Sequence, residues 1–269
     1  MPLLAIPLGL IIGLALGALG GGGSILTVPA LVYVLGQDPR AATTSSLLIV
    51  GATALIALAP HARAGRVRFG QGLMFGVLGT AGSFAGSALA SRVAPEVLLT
   101  AFAGLMFVVA TLMLRRSLRP DDAPEDEDHT EEPFLSFRPL ACACPRLAKV
   151  VVTATAVGLL TGFFGVGGGF VLVPALVLAL SFPMPVAVGT SLLVIAVNSA
   201  TALTARISFG SVDLDWPLIA GFTAAAIVGS LFGGRITSRV EPRHLTRAFS
   251  ILLISVALYT AATSIPALF

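Results

Sequence analysis

Apolar residues along this chain fall into eight runs divided by charges and turn residues. The first extends from Leu3 to Leu35, followed by Ala41 to Ala59, Phe69 to Ser91 and Val97 to Leu114. A polar stretch occupies Arg115 to Lys149, and four further runs follow: Val150 to Leu180, Val186 to Ala205, Trp216 to Gly234 and Leu245 to Leu268. A helix needs about 20 apolar residues to cross a bilayer, so six of the eight runs predict single spans. Runs one and five are too long for one span and too short for two. Both are broken by glycines, at Gly20 to Gly23 and at Gly165 and Gly167 to Gly169. Glycine weakens a helix interior and permits a sharp turn.

The two breaks belong to a repeat. Residues 17–32 read GALGGGGSILTVPALV, and residues 162–177 read GFFGVGGGFVLVPALV. Setting Pro29 on Pro174 also sets Gly13 on Gly158, Gly17 on Gly162 and Gly20 on Gly165. A one-residue shift sets Thr44-Ser45 on Thr190-Ser191, and Gly82, Gly86, Arg92 and Pro95 later fall on Gly229, Gly233, Arg239 and Pro242. The chain divides into a first transmembrane repeat at 1–114, a polar linker at 115–149 and a second repeat at 150–269. Repeated halves with matching interrupted segments predict a secondary transporter whose site lies at the repeat interface.

Composition agrees with a membrane protein. Hydrophobic residues make up 56% of the 269 positions, charged residues 11%, and the mean hydropathy is +0.98. A soluble fold of this size could not bury that much apolar surface, which excludes a soluble enzyme and a nucleic-acid-binding domain. Eight of the 13 acidic residues lie between Asp121 and Glu132, which leaves 16 basic against five acidic residues elsewhere. Asp121–Pro133, acidic and core-poor, reads as disordered and solvated. Cys142 and Cys144 sit in the linker and define no disulfide framework. No Lys or Arg precedes Arg40, so the charged n-region of a secretory signal is lacking.

Charge also selects the topology. If runs one and five are re-entrant hairpins, 13 of the 16 basic residues fall on one face, with the 60–69 loop, the linker and the 235–247 loop. If each run crosses instead, the division is ten to six. Basic residues concentrate in cytoplasmic loops, so the hairpin arrangement is predicted, in an inner cell membrane with both termini outside and the linker in the cytoplasm. Three full spans per half then turn the second half upside down. The expected fold is an all-α polytopic membrane protein: two inverted repeats of four hydrophobic segments, eight in total, the first of each Gly-broken and re-entrant.

Backbone at a re-entrant tip must face protein or a wet cavity, because lipid leaves N–H and C=O groups unpaired. A half-helix starting near Gly23-Ser24 or Gly168-Gly169 presents unpaired N–H groups and a positive dipole end. Two such tips predict an anion site. The candidate substrate-binding residues are Gly20, Gly22, Gly23, Ser24, Gly165, Gly167, Gly168 and Gly169, with the hydroxyls of Thr44, Ser45, Thr190 and Ser191 and the Asn198 amide. Close helix packing is the competing role of the glycines, and capping that of the hydroxyls; Asn198 either lines the cavity or pairs with a neighbouring helix. Gly72-x-x-x-Gly76, Gly82-x-x-x-Gly86 and Gly229-x-x-x-Gly233 read as helix-packing motifs. Neither glycine cluster has the Lys and Ser/Thr of a P-loop, nor the preceding strand of a dinucleotide loop. His61 and His244 are read in loops and His129 in the linker, and every Asp and Glu lies outside the runs, so no catalytic residue, metal ligand or cofactor is predicted. On the same ground, membrane potential alone is expected to drive export. The rival class is a membrane scaffold or sensor. The expected partners are a small anion and the lipid bilayer, with no nucleic acid and the oligomeric state open.

The repeated GxLGGGGSxLxVPALV and GxFGVGGGFVLVPAL segments, with TTSSL and GTSLL after them, resemble the sulfite exporter TauE/SafE family of membrane transporters. The resemblance covers nearly the whole chain outside the linker. It implies export of sulfite, sulfoacetate or a related sulfur-containing anion or organosulfonate, with Gly20 to Ser24 and Pro29, and Gly165 to Gly169 and Pro174, as motif positions. A related thiosulfate-transporting group uses intramembrane cysteines. This chain has none, so no thiol chemistry is implied.

Overall fold

The computed structural model describes residues 2–90, 93, 95–118, 144–164, 169–209 and 214–264. All regular structure among them is helical. The first half contains α1 (Pro2–Leu19), α2 (Gly22–Pro29), α3 (Pro39–Arg63), α4 (Phe69–Ala90) and α5 (Pro95–Leu118); the second contains α6 (Cys144–Phe164), α7 (Gly169–Leu178), α8 (Met184–Phe209), α9 (Trp216–Arg239) and α10 (Pro242–Ser264). Among the described residues five helices are long and apolar enough to cross a membrane, with spans at Ala41–Arg63, Thr100–Leu118, Met184–Thr204, Trp216–Thr237 and Pro242–Ala262. They correspond to five of the six expected single spans; α4, at 22 residues, has the length of the sixth. Large apolar side chains on these helices also face outward, among them Leu55, Phe84, Phe107, Val228 and Ile251. Such all-round apolar helices suit a lipid surround. The linker centre, with its predicted disorder, and Cys142 lie outside the described residues.

The first run folds back on itself. α1 ends at Leu19, Gly20 and Gly21 turn the chain, and α2 starts at Gly22 with Gly23 against Ile12 and Leu16 of α1. Pro29 has no N–H to donate, and beyond it the helix loosens into a π-helical stretch, Ala30–Val34, closed by the Leu35 N–H donating to the Ala30 carbonyl at 3.1 Å. Ala5, Leu35, Ala42 and Ile219 then share one hydrophobic cluster, so the start of α1 and the return of the chain lie at the same end of the bundle.

Glycines set the closest helix pairs. Gly9, Gly13 and Gly17 of α1 meet the backbone of Phe222, Ala226 and Ser230 of α9, while Gly229 and Gly233 meet α1 at Leu10 and Leu14. The contacts advance together along both chains, so α1 and α9 run parallel. On the other side Gly82 meets Thr155 and Gly86 meets Leu159, making α4 and α6 parallel as well. α4 also follows α8, with Gly72 beside Thr190 and Leu193 and Gly76 beside Val197. Small residues permit such approach where lipid leaves no hydrophobic drive between helices, and Gly72, Gly76, Gly82, Gly86, Gly229 and Gly233 pack as the sequence predicts. α3 lies on α8 and α5 on α10.

The two ends of the bundle differ chemically. One carries the 64–68 loop, the ends of α5 and α9 and the start of α10, and so most of the described basic residues. There Arg116 Nη1 donates to the Val177 carbonyl in the last turn of α7 at 2.7 Å, and Arg243 Nε to the Ser117 carbonyl at 3.1 Å. The opposite end carries the chain's one Trp and two Tyr, all exposed: Trp216 at 62%, Tyr33 at 76% and Tyr259 at 58%. Amphipathic aromatic rings of this kind suit the membrane–water boundary.

Candidate functional site: two broken helices that meet tip to tip

Gly20 has φ of 69°, a left-handed conformation that glycine adopts without strain. It lies between the Ser191 hydroxyl, Val188 and Val173. Gly21, the next residue, sits directly on the backbone of Gly169, so a Cβ there would fall onto the Gly169 carbonyl. From the other side Gly169 touches the Ser24 hydroxyl and the tip of Ile195. The starts of α2 and α7 therefore face each other against α8, between Val188 and Ile195. The N-cap of α2, Gly21, offers no side-chain hydrogen bond. Two positive helix ends thus converge with first-turn N–H groups that their own helices cannot pair.

Of the expected site residues, Gly20, Ser24, Gly169 and Ser191 are brought together here, and Gly22 opens α2 beside them. Gly23 faces the other way, into α1. Gly165, Gly167 and Gly168 lie outside the described residues. The hydroxyls are largely engaged: Ser24 Oγ donates to the Gly21 carbonyl at 2.7 Å, Ser191 Oγ to the Val188 carbonyl at 2.8 Å, and Thr190 Oγ1 accepts from the Arg68 N–H at 3.1 Å. Ser45 Oγ is fully buried and has no hydrogen-bond partner among the described residues. Thr44 is buried beside it on α3.

One alternative falls, one is settled and one expectation is overturned. The Thr44-Ser45 and Thr190-Ser191 pairs do not cap helices: α3 begins at Pro39 and α8 at Met184, so both pairs sit inside their helices. Asn198 pairs with a neighbouring helix, Thr80 Oγ1 donating to its Oδ1 at 3.4 Å, and it lies beyond the tip contacts along α8. His61 is not in a loop. It occupies the last turn of α3, 2% exposed, inside the Ala41–Arg63 span. That removes the premise that no titratable group lies within a span, and with it the argument for potential-driven export. The sequence signal was present: the apolar run to Ala59 continues into Pro60-His61 before the next arginine, Arg63. Thr237 was also passed over; its hydroxyl donates at 3.0 Å to the Ala18 carbonyl, tying α9 to the end of α1.

Paired, glycine-broken helices inside a bundle of long apolar helices define a multi-pass membrane protein of the broken-helix transporter class. Comparison with known proteins gives the family. The model of the sulfite exporter TauE/SafE family matches residues 5–260, and the chain belongs to that family. A probable membrane transporter protein of Xylella fastidiosa is 35% identical over 253 residues, covering 93% of this chain and 90% of its own. The probable membrane transporter protein YunE of Bacillus subtilis is 28% identical, covering 91% and 90%. One from Methanocaldococcus jannaschii is 25% identical, covering 93% of each. No solved structure gives a significant match.

Proposed function

We propose that this protein carries a small anion, a sulfur oxyanion such as sulfite or an organosulfonate, outward across the inner cell membrane. The anion binds where α2 and α7 meet. One observation carries the reading: the backbones of Gly21 and Gly169 touch at the starts of two helices. Two positive dipole ends brought head to head repel each other, and an anion seated beside the contact, against both first turns, offsets that repulsion. Ser45, buried and uncommitted, is a further donor within the core. The family's description as sulfite exporters supports the substrate class.

The reading includes an inverted repeat. α1 parallel to α9, and α4 parallel to α6, are the pairings expected when the second half is the first turned over, each broken hairpin packing on the fourth helix of the other half. The basic end then faces the cytoplasm and the aromatic end the outside, which puts both termini outside. The test is sulfite efflux from liposomes holding the purified full chain. Efflux well above that of protein-free vesicles is expected; equal rates would sink the proposal.

A further inference from the structure

We propose a second anion site, a chamber at the basic end that hands the anion to or from the tips; it rests on the transport reading above. A cavity of about 140 Å³ is lined by Pro60, His61, Ala64, Arg66, Gly234 and Arg235. It has room for several waters or one small oxyanion. Its rim is exposed at Ala64 and Arg235, and its floor is buried at His61 and Gly234. Among the described residues no carboxylate lines it, whereas two guanidinium-bearing residues do, and Arg66 is near enough for its charge to act on His61. Arg235 also lies 5.9 Å from the centre of the Phe232 ring.

His61 makes the chamber more than a basic patch. Its Nε2–H donates to the Gly17 carbonyl at 3.3 Å, since a carbonyl can only accept. The other ring nitrogen, Nδ1, is buried with no partner among the described residues. A buried polar atom left unpaired is costly and asks for a ligand. A singly protonated oxyanion such as bisulfite answers both features, its O–H donating to Nδ1 while its other oxygens accept from Arg66 and Arg235. A halide supplies no such hydrogen.

The chamber is coupled to the tips through short backbone paths. Gly17, which His61 holds, lies three residues before Gly20 in the turn. Gly189, packed on the Arg66 carbonyl and the His61 Cβ, precedes Thr190 and Ser191 on α8. The repeat does not duplicate it. Along the alignment of the halves, His61 falls on Ile207, Arg66 on Val212 or Asp213, and Arg235 on Ala88. The site therefore serves one face of the membrane only.

The experiment is isothermal titration of the detergent-purified full chain with sodium sulfite near neutral pH, against sodium chloride at equal ionic strength. Sulfite binding is expected in the wild type and not for chloride. Arg66→Gln with Arg235→Gln, or His61→Gln alone, should weaken it about tenfold or more, Arg66→Lys with Arg235→Lys should restore most of it, and Gly104→Leu, in open space on α5, should leave it within about twofold. If the double glutamine variant does not elute as a single species, the single variants carry the comparison. Binding lost in Gly21→Ala but intact in the arginine and histidine variants would overturn the chamber and leave the tip site standing. Chamber binding without sulfite flux in vesicles would retain the chamber and refute transport. Absence of sulfite binding in the wild type would overturn the chamber outright.

Discussion

At the scale of single residues, the proposed function rests on positions where a side chain is missing. Gly21 has no room for even a methyl group, because the Gly169 backbone occupies the space. Gly21→Ala is therefore expected to push the tips apart at a cost of about 1–3 kcal/mol, with sulfite flux falling at least tenfold while the protein still inserts. Flux in proteoliposomes beside a thermal melt of the same preparation checks this; unchanged flux would leave the tip contact without a role in transport. Gly23→Val acts differently, since a side chain there strikes Ile12 and Leu16 of its own hairpin; it is expected to lower folded yield as well as flux. Thr237 shows the converse. Its hydroxyl reaches the carbonyls of Gly17, Ala18 and Gly233, so Thr237→Val should lower stability by about 1–2 kcal/mol, measured as an earlier melt.

At the scale of elements, glycine rows decide which helices touch. α1 and α9 interlock through Gly9, Gly13 and Gly17 on one side and Gly229 and Gly233 on the other. α4 and α6 do the same through Gly82, Gly86 and Gly158. Gly13→Leu is expected to separate α1 from α9 and reduce the monodisperse fraction in mild detergent severalfold, because the side chain would enter the Ala226 backbone. Gly104→Leu, on α5 with open space around its Cα, is the matched control expected to behave as wild type. The spacing of Gly82, Gly86, Gly229 and Gly233 was legible in the sequence, and so was their packing role; that of Gly9, Gly13, Gly17 and Gly158 was not. The partners were not legible either, because a small-residue stripe states that something approaches closely and not which helix does. His61 was misplaced for a related reason: hydropathy falls at Pro60-His61-Ala62-Arg63, yet the helix runs on to Arg63 because α1 and α9 cover its last turn and the Gly17 carbonyl pairs the imidazole.

At the scale of the whole molecule, charge and aromatic residues mark opposite ends. The basic end is expected in the cytoplasm. Glu125→Cys, in a chain lacking Cys142 and Cys144, should resist a membrane-impermeant thiol reagent in intact cells and react after permeabilisation; labelling from outside would reverse the orientation. Deleting Asp121–Glu132 is expected to keep sulfite flux within about twofold of wild type, since the acidic segment has few apolar residues to contribute to a buried site. Loss of flux at normal membrane abundance would give the linker a part in gating.

The sequence by itself determined that the chain lives in a bilayer, that it is doubled, and where it breaks. Composition, an internal repeat and glycine clusters are local or periodic properties, and they survive being read in one dimension. It also singled out Gly20, Gly22, Gly23, Ser24, Gly169 and Ser191 for the candidate site, though not Gly21, because a motif repeated at equivalent positions is hard to explain by packing within one half. Only the tertiary structure decided that Gly21 lies on Gly169, that Gly23 turns away, that Thr44, Ser45, Thr190 and Ser191 sit inside helices, and that Asn198 pairs with Thr80. Each of these depends on which face of one helix meets another. That choice is set by the close approach of backbones from opposite halves of the chain, a distance that no stretch of sequence encodes alone.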